Sequence, residues 1–304
     1  MKLYLGVDGG GTRTRALVMN VQGQTLSRAE GPATLIHQTN PRETLGVIAQ
    51  VCRRAVDEAG GDLPVDVLWA GIAGAGNDPA RSMVRDALQG FGLADVVHVG
   101  TDATAAFHDA FGSEAGILLI AGTGSSALGR GVDGATVGVG GWGDRLGDEG
   151  SGYAMGLAAL RAVVRGEDGR AGKTGLRDPI LEALGMDRPE DLIAWVARAN
   201  KAEIAALVPI VCRQADAGDE VAGAIVADAV RDLTVHVLTL VKRLGPWAGR
   251  PAVALAGGLI GDAGPLRQRV SIALGGLLCQ TRERVVDAAR GAADLAMRSG
   301  SLSE

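Results

Sequence analysis

Residues 8–14 read Asp-Gly-Gly-Gly-Thr-Arg-Thr and stand between two short apolar runs, 2–8 and 14–20, that have the pattern of β-strands. Glycine lets backbone N–H groups approach an anion, and threonine adds a hydroxyl donor, so the stretch can hold a phosphate. A tight hairpin that needs positive φ would use the same residue types. The stretch therefore predicts two strands joined by a corner, and both readings of the corner stay open.

A second stretch of the same type, 121–126, reads Ala-Gly-Thr-Gly-Ser-Ser and again lies between strand-like runs. An offset of 111 positions (122 − 11) lays Gly11-Thr12 on Gly122-Thr123, and it also aligns the turns around positions 23 and 134. This coincidence favours a duplicated hairpin plan. Two facing corners of this kind can hold successive phosphates of one nucleotide, which a single turn cannot do.

The rest of the chain alternates strand and helix patterns, which predicts the α/β class. The helix over 41–59 carries a start signal at Asn40-Pro41, with Glu43 three residues after the cap. Further strands are predicted at 24–29, 65–72, 96–99, 117–121, 126–130, 136–139 and, as the last one, 252–256. Further helices are predicted at 79–88, from 104, at 152–165, 178–184, 189–216 in pieces, 220–244 and 285–298.

Asp102 follows the predicted strand 96–99, at the carboxyl end where open α/β sheets bind ligands. An aspartate between a strand and a helix also serves as an N-cap, and the residue alone does not decide between the two roles. A nearby pair of phosphate corners favours the functional role, because phosphoryl transfer needs a group that orients a hydroxyl and accepts its proton. Asp102 is therefore the candidate general base.

Residues 140–152 form the densest polar stretch of the chain, with several carboxylates, glycines and a tryptophan. Carboxylates that accept paired hydroxyl hydrogens, beside an aromatic wall, suit a sugar. A charged loop that caps the following helix is the other reading, since Asp148 and Glu149 would suit the positive end of its dipole. Farther on, Gly257-Gly258 follows an apolar strand and would let a flat ring lie against the backbone, although an ordinary turn would use the same two residues.

Composition excludes several classes of protein. The 304 residues carry a formal net charge of -5 without a block of Lys or Arg, so we expect neither a nucleic-acid partner nor a membrane surface. Three distant cysteines, Cys52, Cys212 and Cys279, share no ligand spacing and indicate buried free thiols. The N-terminal segment is too short in apolar residues for a signal peptide, which predicts a soluble cytoplasmic protein.

Three glycine motifs point to other nucleotide sites. Residues 122–127 and 138–143 match the dinucleotide fingerprint, but each lies within or beside a predicted strand and does not open a helix. Residues 172–174, Gly-Lys-Thr, look like the end of a P-loop, yet the first glycine of that motif would fall on Glu167. We expect a solvated loop there.

The ordered set of motifs resembles the N-acetylglucosamine kinase family, of the BadF/BadG type, within the superfamily of actin, heat-shock chaperones and sugar kinases. The motifs lie at 8–12, 101–103, 122–125, 141–143 and 147–151. The resemblance implies two ribonuclease-H-like (actin-like ATPase) lobes, 1–114 and 115–284, with an interdomain cleft and a C-terminal helix, about 285–304, that packs back on the first lobe. It also implies ATP and Mg²⁺ as cofactors, a small-molecule sugar substrate and a homodimer.

The resemblance also assigns residues to roles. Asp102 would be the catalytic base and Asp8 the carboxylate near the metal. The residues that would bind the nucleotide are Gly10, Gly11, Thr12, Arg13, Gly122, Thr123, Gly124, Gly257 and Gly258. Those that would bind the sugar are Thr34, Ser125, Gly141, Trp142, Gly143 and Asp148.

One departure leaves the sugar open: the family often has an asparagine just after the third strand, and residues 31–35 contain none. The Gly-Gly-Trp-Gly stretch resembles N-acetylglucosamine kinases more than glucosamine kinases, which remain the alternative. A glycoside hydrolase with Asp102 and Asp148 as its carboxylate pair is another. A sugar-sensing module or an activator ATPase is a third. The activators hold an iron–sulfur cluster through paired cysteines, and no cysteine lies between 52 and 212.

Overall fold

The computed structural model describes residues 2–34 and 41–301, with side chains at 2–34 and 44–301. In the first part of the chain the strands and helices alternate after an opening run of three strands. They are β1 (Leu3–Gly9), β2 (Arg13–Asn20), β3 (Thr25–Pro32), α1 (Pro41–Glu58), β4 (Val65–Ile72), α2 (Asp78–Gly90), β5 (Ala94–Gly100) and α3 (Asp102–Phe111). The predicted helix cap Asn40 lies outside the described residues.

The second part repeats the run of three strands and then becomes mainly helical. Its strands and first helices are β6 (Gly116–Ala121), β7 (Ser125–Arg130), β8 (Thr136–Gly140), α4 (Gly152–Glu167), α5 (Arg177–Ala183), α6 (Asp191–Val196), α7 (Lys201–Ala205) and α8 (Val208–Asp216). They are followed by α9 (Glu220–Leu244), β9 (Ala252–Ala256), α10 (Arg267–Gly276), β10 (Gln280–Thr281) and α11 (Ala288–Ser301). No helix of the described residues combines the length and the apolar character needed to cross a bilayer.

The chain divides into two compact units. Unit 1 comprises Met1–Glu114 and Val286–Glu304, and unit 2 is the continuous run Ala115–Val285. Each unit contains one five-stranded sheet, in the order β3-β2-β1-β4-β5 in unit 1 and β8-β7-β6-β9-β10 in unit 2. In both sheets the first three strands are antiparallel and the central strand pairs in parallel with the fourth. The two units therefore share one plan, and the predicted α/β class is confirmed.

Alternating side chains of β1 explain how helices cover both faces of the sheet in unit 1. Leu5 and Val7 pack in one buried cluster with residues of α1 and α2, whereas Tyr4 packs in another with alanines of α11. Gly6 lies on the same face as Tyr4, and a Cβ there would be 2.2 Å from the backbone nitrogen of Ala293. Helix α11 thus rests directly on β1.

Three sequence-based expectations about these elements were wrong. Helix α3 begins at Asp102, two residues before the predicted start at 104, because Thr101 caps it. Strand β9 is not the last strand, since α10 and the short β10 follow it. The closing helix begins at Ala288, later than the predicted 285. Asp287 precedes it, and its carboxylate accepts a hydrogen bond from the Arg290 N–H in the first turn.

Candidate active site

The first corner, between β1 and β2, is held by few contacts of its own. The Gly10 N–H donates to the Arg13 carbonyl over 3.1 Å, and Gly11, Thr12 and Arg13 are exposed. Neither Gly10 nor Gly11 has a left-handed φ, so the hairpin does not need glycine for its conformation. A Cβ at Gly11 would meet no atom within 4 Å. Turn geometry and packing therefore leave the glycine at this position unexplained, whereas a closely approaching ligand would explain it.

Thr34 stabilises this corner from inside. Its N–H donates to the Gly10 carbonyl over 3.1 Å, and its hydroxyl lies 2.6 Å from that of Thr14, which also donates to the Pro32 carbonyl. Thr14 and Thr34 are both fully buried. The Thr34 hydroxyl is thus engaged with Thr14, and the assignment of Thr34 to the sugar stays a prediction. Thr34 positions Gly10.

Asp8 and Asp102 lie at one edge of the sheet of unit 1. Asp8 is at the carboxyl end of β1, and in the neighbouring β4 it is aligned with Gly71, which in turn is aligned with Gly100 of β5. A Cβ at Gly71 would be 3.3 Å from the Cα of Asp102. Glycine at position 71 therefore lets the start of α3 approach the strands, which places both carboxylates near the first corner.

Thr101, not Asp102, is the N-cap of α3, since its hydroxyl accepts a hydrogen bond from the Thr104 N–H. Asp102 is therefore the first helical residue and not the N-cap, and its carboxylate accepts hydrogen bonds from N–H groups of the first turn. Burial raises the pKa of Asp102, against the hydrogen bonds from the N–H groups of Ala103 and of Asp102 itself. A buried carboxylate at the edge of the sheet, with a raised pKa, has properties that suit a general base.

Burial, together with the charge of Asp102, raises the pKa of Asp8 from 3.8 to about 6. Arg15 opposes the shift, with its guanidinium 4.0 Å from the Asp8 carboxylate. Residues 2–34 and 41–301 hold no group of three or more side chains of the kind that would cage a metal. Mg²⁺ does not require such a cage, because it is usually held by one or two carboxylates, waters and substrate phosphates. Asp8 therefore fits a Mg²⁺ that arrives with a nucleotide.

The second corner, between β6 and β7, is tied to its surroundings by several hydrogen bonds. The Gly122 carbonyl accepts from the Gly152 N–H over 2.8 Å, and the Thr123 carbonyl accepts from the Tyr153 N–H over 3.2 Å. The Ser125 hydroxyl donates to the Glu149 carbonyl over 2.7 Å. The start of α4 is thereby joined to this corner.

Asp148 is the central contact of the second corner. The residue is 4% exposed and adopts a φ of 62° that is uncommon for any residue but glycine. Its Oδ1 accepts from the Ser125 N–H over 3.2 Å, and its Oδ2 lies 2.8 Å from the Lys201 ammonium. A Cβ at Gly124 would lie 2.8 Å from Oδ1, so a side chain there would displace the Asp148 carboxylate. A carboxylate has about four acceptor sites, so Asp148 retains capacity for a sugar hydroxyl.

Residues 141–147, which we call the sugar loop, are supported at both ends by α9. Gly140, with φ of 73°, faces His236, whose Nε2 would be 2.5 Å from a Cβ at that glycine. Gly150, also with φ of 73°, faces Ala229, whose carbonyl oxygen would be 2.7 Å from a Cβ at that glycine. Between these supports the Trp142 side chain is 73% exposed. The loop thus presents an aromatic ring on a backbone that is fixed at both ends.

The predicted adenosine turn lies beside the second corner. Gly257, with φ of 90°, approaches β6 so closely that a Cβ would be 2.3 Å from the Ala121 carbonyl. Gly258 has open space where its Cβ would be, and its nitrogen would lie 3.5 Å from a Cβ at Gly122. The structure therefore brings Gly258 and Gly122 together in unit 2.

Sequence reasoning missed two residues of this region, Lys201 and His236. Lys201 could have been found from its place at the first position of a helix, where Asn200 and Glu203 form a capping box and a cation opposes the helix dipole. The only signal for His236 is its place in the apolar pattern of α9, which is typical of a core residue.

Two sheets of one strand order, each with a glycine-threonine corner after its first strand, define the ribonuclease-H-like fold of actin-like ATPases and sugar kinases. The chain belongs to the BadF/BadG/BcrA/BcrD ATPase family, whose model matches residues 5–296. It is 32% identical over 266 residues to an N-acetylmuramic acid/N-acetylglucosamine kinase of Clostridium acetobutylicum, with 86% of this chain and 87% of the relative covered. The family predicted from the motifs is confirmed.

Two further relatives come from other bacteria. A glucosamine kinase of Vibrio cholerae is 29% identical over 242 residues, which cover 79% of this chain and 81% of the relative. A crystal structure described as a candidate N-acetylglucosamine kinase of Chromobacterium violaceum is 27% identical, with a TM-score of 0.83. The match covers 97% of this chain and 99% of that one.

Proposed function

We propose that the protein is an ATP-dependent hexosamine kinase that phosphorylates the 6-hydroxyl of an amino sugar, with N-acetylglucosamine as the substrate. The observation that carries the proposal is the edge of unit 1, where Asp8 and Asp102 have raised pKa values beside a corner whose Gly11 is open to a ligand. Family membership supports ATP as the phosphoryl donor. The kinases among the relatives support an amino sugar.

In this proposal the residues of unit 1 and those of unit 2 have separate roles. Asp102 accepts the proton of the sugar hydroxyl as the hydroxyl oxygen attacks the γ-phosphorus, the bond between that phosphorus and the β–γ bridging oxygen breaks, and ADP leaves with its electron pair. The backbone at Gly11 and at Gly122 would bind phosphate oxygens. Asp8 would hold Mg²⁺, which neutralises phosphate charge when bound. Gly258 gives the adenine ring access to the backbone of unit 2. This division of roles keeps the sequence-based assignments of these residues.

In unit 2 the sugar would be bound by the loop and its neighbours. Asp148 accepts a sugar hydroxyl, Trp142 provides an apolar wall, and the backbone of Gly141 and Gly143 supplies polar groups. An aromatic wall suits the methyl group of an acetamide, which favours N-acetylglucosamine over glucosamine. Glucosamine is the second candidate because the Vibrio cholerae relative is named for it. The homodimer and the cytoplasmic location stay predictions.

The test is release of ADP, measured by a coupled assay with MgATP and each of five sugars. These are N-acetylglucosamine, glucosamine, N-acetylmannosamine, glucose and N-acetylmuramic acid. We expect turnover with N-acetylglucosamine and its loss in Asp102→Asn. A glycoside hydrolase would act without nucleotide, and a sugar-sensing module would bind sugar without ADP release. Either result from folded protein would overturn the proposal.

A further inference from the structure

We infer that Lys201 is a positioning residue of the kinase site: its ammonium holds the Asp148 carboxylate in the orientation that joins the second corner to the sugar loop. The inference rests on the proposed function for the part that concerns sugar. Its structural part, the link between Lys201 and Ser125 through Asp148, can be tested without any substrate.

The first argument is the geometry around the Lys201 ammonium. Its nitrogen lies 2.8 Å from Asp148 Oδ2 and 3.6 Å from Asp144 Oδ1, and it stands 5.8 Å from the centre of the Tyr153 ring. The Asp148 side chain is 6% exposed, whereas that of Asp144 is 38% exposed. The pair with Asp148 is therefore the shielded one, in which charge interaction is least screened by water.

The second argument is that the local sequence does not favour a lysine at this position. Lys201 is the first residue of α7, and a cation at a helix N-terminus opposes the helix dipole. Positions that break a local rule are typical of functional sites. The capping box of Asn200 and Glu203 fixes the start of α7, and a Cβ at Gly156 of α4 would lie 2.1 Å from the Ile204 carbonyl. Lys201 thus projects from a firmly packed turn.

The third argument concerns what Asp148 does once it is held. With Oδ2 paired to Lys201, Oδ1 is turned to the Ser125 N–H, and the Ser125 hydroxyl reaches the Glu149 carbonyl. The Asp148 carboxylate thereby fixes the position of the second corner relative to the end of the sugar loop. Without Lys201, the carboxylate would be buried with no counter-charge, and it would turn toward water and release the Ser125 N–H.

The experiment compares Lys201→Met with Lys201→Arg and, as a control, Lys173→Met, which removes an exposed lysine of the same unit. Hydrogen exchange of peptides that cover 121–126 and 141–151 is measured in the absence of ligands. We expect exchange at least about tenfold faster in Lys201→Met, near-native exchange in Lys201→Arg and no change in Lys173→Met. Unchanged exchange in Lys201→Met would overturn the inference whatever the substrate is.

Kinetics supply the second readout. In Lys201→Met, KM for the sugar and KM for ATP should each rise at least about tenfold, because Asp148 contacts both the second corner and the end of the sugar loop, while kcat at saturating substrates changes less than about threefold; Lys201→Arg should restore most of the loss. When Asp148→Asn is already present, Lys201→Met should cause no further rise in KM, because Lys201 acts through the Asp148 carboxylate. An equal loss in kcat and in the KM values would show a general structural role of Lys201 and refute the inference. Full additivity of Lys201→Met and Asp148→Asn would refute it as well. Wild-type protein without sugar-dependent ADP release would refute the proposed function alone, since the exchange result still decides the role of Lys201.

Discussion

The two corners have the same sequence plan and the same place in their sheets, yet different contacts hold them. The first corner is exposed, and the buried Thr34 is its main support. The second corner is joined to α4 and to the sugar loop by Asp148, a buried carboxylate with its own lysine. Six helices follow β8 before the next strand of its sheet, whereas one helix follows β3. Two of the helices that follow β8, α4 and α7, support the second corner. Substitutions in the first corner and in the second should therefore differ in their effects on stability and on ligand binding.

The largest expected effect is at the edge of unit 1. Asp102→Asn should lower kcat by about 10²- to 10⁴-fold, the usual loss for a general base, with ADP release as the measurement. The control is Asp95→Asn on the exposed side of β5, which should leave kcat unchanged. Near-native turnover of Asp102→Asn would remove Asp102 from the role of base.

The same variant should stabilise the fold at high pH. A folded-state pKa above the unfolded value means that the ionised carboxylate is disfavoured in the folded protein, so stability is lost as pH rises through the folded pKa. Asn removes that cost, and Tm of Asp102→Asn should exceed that of wild type at pH 8 more than at pH 5. A lower Tm at pH 8 would contradict the burial of this charge.

Gly124→Ala tests the supported corner. The new methyl group would lie 2.8 Å from Asp148 Oδ1, so we expect about 1–3 kcal/mol of lost stability from overpacking. Urea unfolding measures it, with Gly223→Ala in α9 as the control because that site is open. An unchanged midpoint would mean that the corner and Asp148 can separate freely.

Gly11→Ala tests the open corner, and here we expect the opposite pattern. The site has room for a methyl group, so Tm should stay within about 1 °C of wild type. The methyl group would instead stand where a phosphate approaches, and KM for ATP should rise at least about tenfold, equivalent to about 1.4 kcal/mol. An unaltered KM for ATP would place the phosphate elsewhere.

A smaller effect should come from pH. With a pKa of about 6, Asp8 is mostly ionised at pH 7 and mostly protonated at pH 5, so affinity for MgATP should fall about tenfold between them. Asp102→Asn removes a charge that raises the Asp8 pKa, so the fall should move to lower pH. Isothermal titration with MgATP at pH 5, 6, 7 and 8 measures both curves, and coincident curves would show that the two carboxylates do not interact.

The smallest effect should come from Thr34→Val. It removes the hydroxyl that pairs with Thr14 and leaves the shape nearly unchanged, so we expect about 1 kcal/mol of lost stability in urea. KM for the sugar should stay near the wild-type value if Thr34 only positions Gly10. A large rise in that KM, at unchanged stability, would support the contact between Thr34 and the sugar that the resemblance predicted.

Local patterns predicted most strands and helices well. Strand β4, strand β9 and helix α9 lie at the predicted positions, because continuous apolar runs and a long 3.6-residue period are strong signals. The offset of 111 residues predicted a shared plan, and the strand orders agree with it. In contrast, α10 was missed because its pattern is weak.

The contacts that define the candidate site are the part that sequence could not provide. Lys201 lies 53 residues after Asp148, and Thr34 meets Thr14 across 20 residues, so no window of periodicity contains either pair. The choice between Thr101 and Asp102 as the cap depends on backbone geometry at the end of β5. Motifs showed which residues to consider, and packing decided which atoms they contact.

The helix α11 has a consequence for how the protein is made. Unit 2 is one continuous segment, so all of its core has left the ribosome once about residue 285 has emerged. Unit 1 begins first but lacks the alanine-rich cover over Tyr4 and Trp69 until 288–301 are synthesised. Unit 1 is therefore completed after unit 2. Until α11 is synthesised, the face of its sheet that α11 covers stays exposed to chaperones and to aggregation.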